Sequence, residues 1–196
     1  MKIIVVGATG TIGRAVVKAL KQTHDIVEAS RKGQVRVDLS DPDSIKAMYQ
    51  TVSAVDAMIC ATGDASFGPL DSLGDEDFTF GLGNKLMGQI NLVRYGWESV
   101  KEGGSMTLTS GILADEPHAA SVLLTTINSA VEGFVRAAAL GLSGGRRLNV
   151  VSPPMVKETA EGMGWGDGGV PADTVARLYV TAIEGTMSGE VLKHDG

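Results

Sequence analysis

The chain has one cysteine, Cys60, among 196 residues, so no disulfide can form within it and packing with hydrogen bonding must hold the fold. A lone thiol is compatible with a reducing compartment. Three histidines, His24, His118 and His194, stand far apart and beside no cysteine, so the sequence offers no metal-ligand cluster. Positive charge is scarce: the formal net charge is -6 and no basic stripe is visible, which argues against a nucleic-acid surface. No apolar run approaches a membrane span. The first strand pattern begins at residue 2, leaving no room for a secretory leader, so a cytoplasmic location is expected. Aromatic residues are only 5% of the chain, whereas glycine, at 26 residues, is plentiful. With 43% hydrophobic and 20% charged residues the composition is that of a soluble globular protein. The length suits one well-buried core, and residues 1-196 read as a single domain.

Chemistry is concentrated at the start of the chain. Ile3-Ile4-Val5-Val6 runs into Gly7-Ala8-Thr9-Gly10-Thr11-Ile12-Gly13 and then into an amphipathic pattern carrying Val16, Ala19 and Leu20. Glycines permit a tight turn, let the backbone approach a pyrophosphate and let a helix pack close to a strand. The free N–H groups and partial positive charge of the helix start then favour an anion. Three glycines alone also occur in ordinary turns, but a buried-type strand before them and helical spacing after them mark a dinucleotide-binding turn.

Strands are expected at Ile26 to Ala29, Val35 to Val37, Val55 to Cys60, Met106 to Thr109, Leu148 to Val151 and Glu190 to Lys193. Helices are expected at Ile45 to Val52, about Glu76 to Val100, about Ala119 to Leu142 and Pro171 to Ile183, with Asp41-Pro42 suited to a helix start. Alternating strands and helices predict a Rossmann-like α/β fold, a doubly wound parallel sheet of about seven strands covered on both faces. The third strand is the weak link, because Ser30 to Gln34 is too short for a crossover helix. Small residues at Gly88, Gly96, Gly133 and Ala137 to Ala139 would let the two long helices pack across a two-fold axis in a homodimer, or equally pack on the sheet.

Five segments in order resemble the short-chain dehydrogenase/reductase family over nearly the whole chain. They are the Gly7 to Gly13 turn, Asp38-Leu39, Thr109-Ser110-Gly111, Val131-Glu132-Gly133-Phe134, and Asn149-Val150-Val151-Ser152-Pro153. The resemblance implies a nicotinamide cofactor across the strand ends and hydride transfer between a small carbonyl compound and its alcohol. It brings Asp38 to the adenine, and Ala61-Thr62-Gly63 and Pro153 to the cofactor. Asp38 is equally suited to capping the next turn. Where enzymes for the unphosphorylated cofactor place an acidic residue, this chain has Ser30-Arg31-Lys32, a hydroxyl and two cations suited to a 2′-phosphate. NADP(H) is therefore favoured over NAD(H), although a basic pair also suits a solvated loop.

The departure from the family lies in its Tyr-x-x-x-Lys pair, in which the lysine lowers the phenol's pKa from one helical turn away. Anchored on Val131-Glu132-Gly133-Phe134, those places fall on Leu124 and Asn128, and the three tyrosines, Tyr49, Tyr95 and Tyr179, lie in other segments. Ser110 stands at the family's carbonyl-orienting serine, and Lys85 replaces a structural asparagine. Lys85-Leu86-Met87-Gly88-Gln89, with Asn for the catalytic lysine, resembles a subset of the family. A catalytic set of Lys85, Ser110 and Asn128 follows, with Lys85 as proton donor; a solvated helix face, a cofactor ribose or a backbone carbonyl would also account for Lys85. His118 is a further proton-transfer candidate. Met155, Met163 and Trp165 fall in the segment that closes over substrate in the family, where they line a pocket or pack the lid down. If the chemistry was lost with the tyrosine, the remaining reading is a cofactor-binding sensor or scaffold.

Overall fold

The computed structural model describes residues 1–194 and contains one seven-stranded parallel sheet in the order β3-β2-β1-β4-β5-β6-β7. The strands are β1 (Lys2–Val6), β2 (Asp25–Ser30), β3 (Val35–Arg36), β4 (Val55–Cys60), β5 (Val100–Thr109), β6 (Arg147–Ser152) and β7 (Val191–Lys193). The helices are α1 (Thr11–Leu20), α2 (Pro42–Val52), α3 (Asp75–Gly81), α4 (Gly88–Gly96), α5 (Val122–Ala138), α6 (Lys157–Gly162) and α7 (Ala172–Glu184). Successive side chains of a strand point to opposite faces, and here both faces are covered, so the inner stretches of the central strands, such as residues 3–6 and 57–60, are apolar on both sides. Ile4, Val6, Met58, Met106 and Leu108 pack with Ile45, Leu92, Ile127 and Val131 of α2, α4 and α5. Ile3, Val5, Ile59 and Val151 pack on the other face with Val16, Leu20, Val175 and Tyr179 of α1 and α7. Strand order reverses at β1, which pairs with β2 on one side and β4 on the other, and a crevice opens there at the carboxyl ends.

Local signals account for most element bounds. Asp41 caps α2 by accepting from the Asp43 N–H, and Pro42 takes the first turn, where its missing donor is harmless. β3 is a two-residue stub, as its short connection demands. The single helix expected over Glu76 to Val100 is instead α3, a π-helical turn (Leu82–Met87) and α4, followed by a 3-10 turn (Trp97–Ser99). Val100, fully buried, already belongs to β5, so that strand begins six residues before Met106. α5 is shorter than Ala119 to Leu142 because 3-10 turns flank it at Ala119–Ser121 and Ala139–Gly141. α6 lies ahead of the glycine-rich loop and is too short to show a period in sequence. Gly88 and Gly96 take up contacts inside the chain, against Leu39 and the Tyr49 ring, whereas Gly133 meets nothing. No helix among the described residues is long and apolar enough to cross a membrane.

Candidate cofactor and reaction site

β1 ends at Gly7, whose backbone is left-handed at φ +83° and whose N–H donates to the Ala29 carbonyl at 2.9 Å. A Cβ at Gly7 would lie 2.5 Å from the Thr62 Cβ, and one at Gly13 would overlap the Gly7 carbonyl. The turn is therefore closed to side chains at both positions, which brings α1 down against it. Gly10 caps α1 without a side-chain bond, so no side chain covers the N–H groups of Thr11, Ile12 and Gly13. Such a helix start is an anion site.

The crevice at this turn has a volume of about 670 Å³. Gly7, Thr9 and Gly10 form its floor, and Ser30, Arg31 and Lys32 of the β2 end form one wall. Asp38, Leu39 and Thr62 complete the expected lining. The other expected positions do not line it. Thr11, Ile12 and Gly13 are the first turn of α1; buried Ala61 donates to the Val6 carbonyl; Gly63 lies against Lys85; and the Pro153 carbonyl accepts from the Ile112 N–H. Asp38 does cap its turn, accepting from the Ser40 N–H at 2.9 Å. Four lining residues escaped the sequence reading: the apolar Val6 and Val37, and the polar Asp64 and Asn84. Asn84 accepts from the Asp64 N–H and donates to Ser40, both at 2.8 Å, tying the β4 end to the β3 loop. Asp64 also faces the Arg31 guanidinium at 4.0 Å, with both side chains largely exposed. The cradle that a Cβ would fill, the uncovered helix N–H groups and the buried, unpartnered Ser30 hydroxyl fit a dinucleotide.

Beyond the crevice, the end of β5 is held by α4, α5 and the π-helical turn between α3 and α4. Lys85 sits on that turn, an irregularity that often marks functional positions. It is 7% exposed, and its Nζ donates to the Ser110 carbonyl at 3.4 Å. Gly63 admits it: a Cβ there would stand 2.9 Å from the Lys85 Cγ. Burial pushes the Lys85 ammonium below the usual lysine range, and Cys60 and Asp64 offset this only in part. The solvated helix face weighed for Lys85 is thus not what the structure holds. Gln89, fully buried, donates to the Lys85 and Thr109 carbonyls and accepts from the Thr109 N–H, clipping Lys85 to β5.

Ser110 is 3% exposed and donates through Oγ to the Glu132 carboxylate at 2.9 Å. Asn128, also buried, donates to the Gly111 carbonyl at 3.3 Å, and its side-chain oxygen has no partner. The structure thus brings Lys85, Ser110 and Asn128 onto two successive residues, Ser110 and Gly111. Glu132 was quoted only as part of a motif; its signal was a charge on the apolar stripe of Leu123, Ile127, Val131 and Val135. α5 carries neither tyrosine nor lysine, and Leu124 is half-buried. Tyr49 is spent on the Leu92 carbonyl and Tyr179 on the Thr109 hydroxyl, while Tyr95 stands under Lys46 and Arg94.

His118 packs its ring edge-on to Phe67 at 5.3 Å, and Phe67 meets Trp165 at 5.5 Å. These aromatics join the loops that follow β4, β5 and β6. Met155, Met163 and Trp165 are all exposed, and of the three only Trp165 makes this aromatic contact. Among the described residues no group of three or more His, Cys, Asp or Glu is arranged to hold a metal.

The fold is shared with known proteins. A family model described as Enoyl-(Acyl carrier protein) reductase matches residues 6–181. The protein lin1944 from Listeria innocua is 38% identical, with 98% of each chain covered and a TM-score of 0.94. A structure described as a small-chain dehydrogenase in complex with NADPH is 28% identical over 100% of this chain and 96% of that one, with a TM-score of 0.91. Hydroxynaphthalene reductase arp2 of Aspergillus fumigatus is 26% identical over 147 residues, 70% of this chain; the match spans about half that relative's length, 54%. With a family model matching most of its length and a sheet, glycine turn and strand-end cleft of that type, the chain belongs to the short-chain dehydrogenase/reductase family.

Proposed function

We propose that the protein is an NADP(H)-dependent reductase of a small carbonyl compound in which Lys85 replaces the missing tyrosine as proton donor. The observation that carries this reading is the burial of the Lys85 ammonium at the β5 end, beside Ser110, in a chain whose α5 has no tyrosine or lysine. A lysine taken out of water gives up its proton more readily, which brings it towards the range useful for acid catalysis. When bound, the cofactor supplies a hydride. Lys85 delivers the proton to the substrate oxygen, so that a C–H and an O–H bond form as the carbonyl π bond is lost, and water reprotonates the amine. Asn128 and Ser110 orient the substrate, Gly7 to Gly13 bind the pyrophosphate, and Arg31 with Lys32 binds the 2′-phosphate. Support for NADP(H) comes from these two cations and from the 28%-identical relative described with NADPH. The relative named as a hydroxynaphthalene reductase supports a carbonyl substrate.

Titration of the protein with NADPH and NADH, followed by nicotinamide fluorescence, tests the cofactor assignment. NADPH should bind more tightly, and Arg31→Ala should weaken it by about 10- to 100-fold, the scale of one charge-assisted contact, with little effect on NADH. Equal binding of both cofactors by the unmodified protein overturns the preference. A second reading, a cofactor-binding sensor without turnover, is favoured by the absent tyrosine alone. It predicts NADPH binding with no oxidation against any of a panel of aldehydes and ketones. We also propose a homodimer through the outer face of α4 and α5, where Gly133 is open and Leu140, on the 3-10 turn that follows α5, is 90% exposed; a monomer mass in light scattering at micromolar concentration rejects it.

A further inference from the structure

Among the described residues, Glu132 is the buried charged residue that the proposed reaction does not use. It is 3% exposed and sits one turn beyond Asn128 on the face of α5 that meets the sheet. One oxygen, Oε1, accepts from Ser110 Oγ at 2.9 Å, and the other accepts from Arg136 at 3.1 Å, a guanidinium that is itself 57% exposed. Its neighbours on that face are Ile127, Val131 and Val135, all fully buried. A carboxylate so placed loses most of its hydration for a single water-exposed partner, and an apolar residue of similar size would serve packing as well or better. Stability therefore does not explain it.

The Ser110 contact does. The serine hydroxyl has one proton, and both of its acceptors lie inside the protein: Glu132 at 2.9 Å and the more distant Val151 carbonyl at 3.5 Å. A carboxylate paired with a guanidinium can only accept, so the proton stays on the inner side and the Ser110 lone pairs are left for an incoming donor. One turn back, Asn128 grips the Gly111 carbonyl, so successive turns of α5 hold successive residues of the β5 end.

We propose that Glu132 is a positioning residue that turns Ser110 into a hydrogen-bond acceptor. Ser110 then receives a proton-bearing partner, either the hydroxyl of the alcohol or the Lys85 ammonium, and the substrate carbonyl takes its donor from Lys85. The inference rests on the reductase reading, and it divides the labour within that site: Lys85 meets the carbonyl, and Ser110 meets the alcohol.

The test is a double-mutant cycle with the full chain, using Glu132→Gln, Ser110→Ala and the pair, on a carbonyl compound that the unmodified protein reduces. Glu132→Gln should lower kcat about 10-fold with KM and NADPH affinity within about 2-fold. The double variant should be no worse than Ser110→Ala alone, because Glu132 acts through the serine. Multiplying losses, or an unchanged kcat in Glu132→Gln, overturn the proposal. If no carbonyl compound is reduced, the reductase reading fails separately, and crystal structures of the unmodified protein and Glu132→Leu decide the geometry. Rotation of Ser110 Oγ away from its inward position upholds the role of Glu132, and an unmoved hydroxyl overturns it. Melting curves show that each variant is folded, with Glu132→Gln crystallised if the leucine variant is not.

Discussion

Lys85→Met is expected to reduce turnover by about 10²- to 10⁴-fold, the usual worth of a positioned acid, and at the same time to raise the melting temperature. The two effects share one cause. In the native protein the ammonium is buried with one long hydrogen bond, to the Ser110 carbonyl at 3.4 Å, and burial holds its pKa below the ordinary 10.5. The unfolded chain therefore holds this proton to higher pH than the native one, and stability rises with pH between the two values. The penalty is complete below the native value and fades as pH climbs towards 10.5. Methionine fills similar space without charge, and replacing buried charges by apolar groups typically gains about 1 to 4 kcal/mol. The gain in melting temperature should accordingly be largest below the native pKa and shrink as pH rises from there towards 10.5, as calorimetry across that range would record. NADPH affinity should change little. Retained turnover in Lys85→Met would remove the lysine from the donor role.

Gly13→Ala is expected to weaken NADPH binding by about 100-fold or more and to destabilise the fold by about 3 kcal/mol, at the upper end of overpacking costs. The added methyl has no flexible neighbour to displace, since it would overlap the Gly7 carbonyl. Relief requires α1 to lift away from the turn, which moves the N–H groups of Thr11 to Gly13 off the phosphate position. The contrast is Gly133→Ala on α5, where a Cβ meets nothing within 4 Å. There the helix gains about 0.5 to 1 kcal/mol from the lost glycine flexibility, and NADPH titration should be unchanged. Similar outcomes for the two glycine variants would mean that α1 can shift freely and that close packing at the turn is not what builds the phosphate site.

The cofactor cleft was legible because its makers are local. A strand, a glycine turn and a helix start occupy residues 2 to 20, and the glycines at 7 and 13 stand where a side chain would strike backbone or Thr62. Asp41-Pro42 at the start of α2 and the shortness of the link before β3 were equally local signals. The helix over Glu76 to Val100 was misread as continuous, because a π turn keeps an apolar residue near every place a regular helix would want one. That extra residue sets the facing of Lys85, and no short-range signal announces it. Asp64 and Asn84 were missed for a related reason, since their bond joins the loop after β4 to the π turn twenty residues on.

By itself, then, the sequence determined the alternation of strands and helices, the parallel sheet and the phosphate turn. Strand period, helix period and the sterics of glycine act within a few residues and leave a readable pattern. Only the tertiary structure decided the chemistry at the β5 end. Lys85 became a buried ammonium because Gly63 and Gln89 close around it, and Ser110 became a donor to Glu132 because α5 packs at that height on the sheet. The Gly63 and Ser110 contacts of Lys85 and the direction of the Ser110 proton arise from groups 22 or more positions distant in the chain, brought together by burial of the apolar faces of α4 and α5.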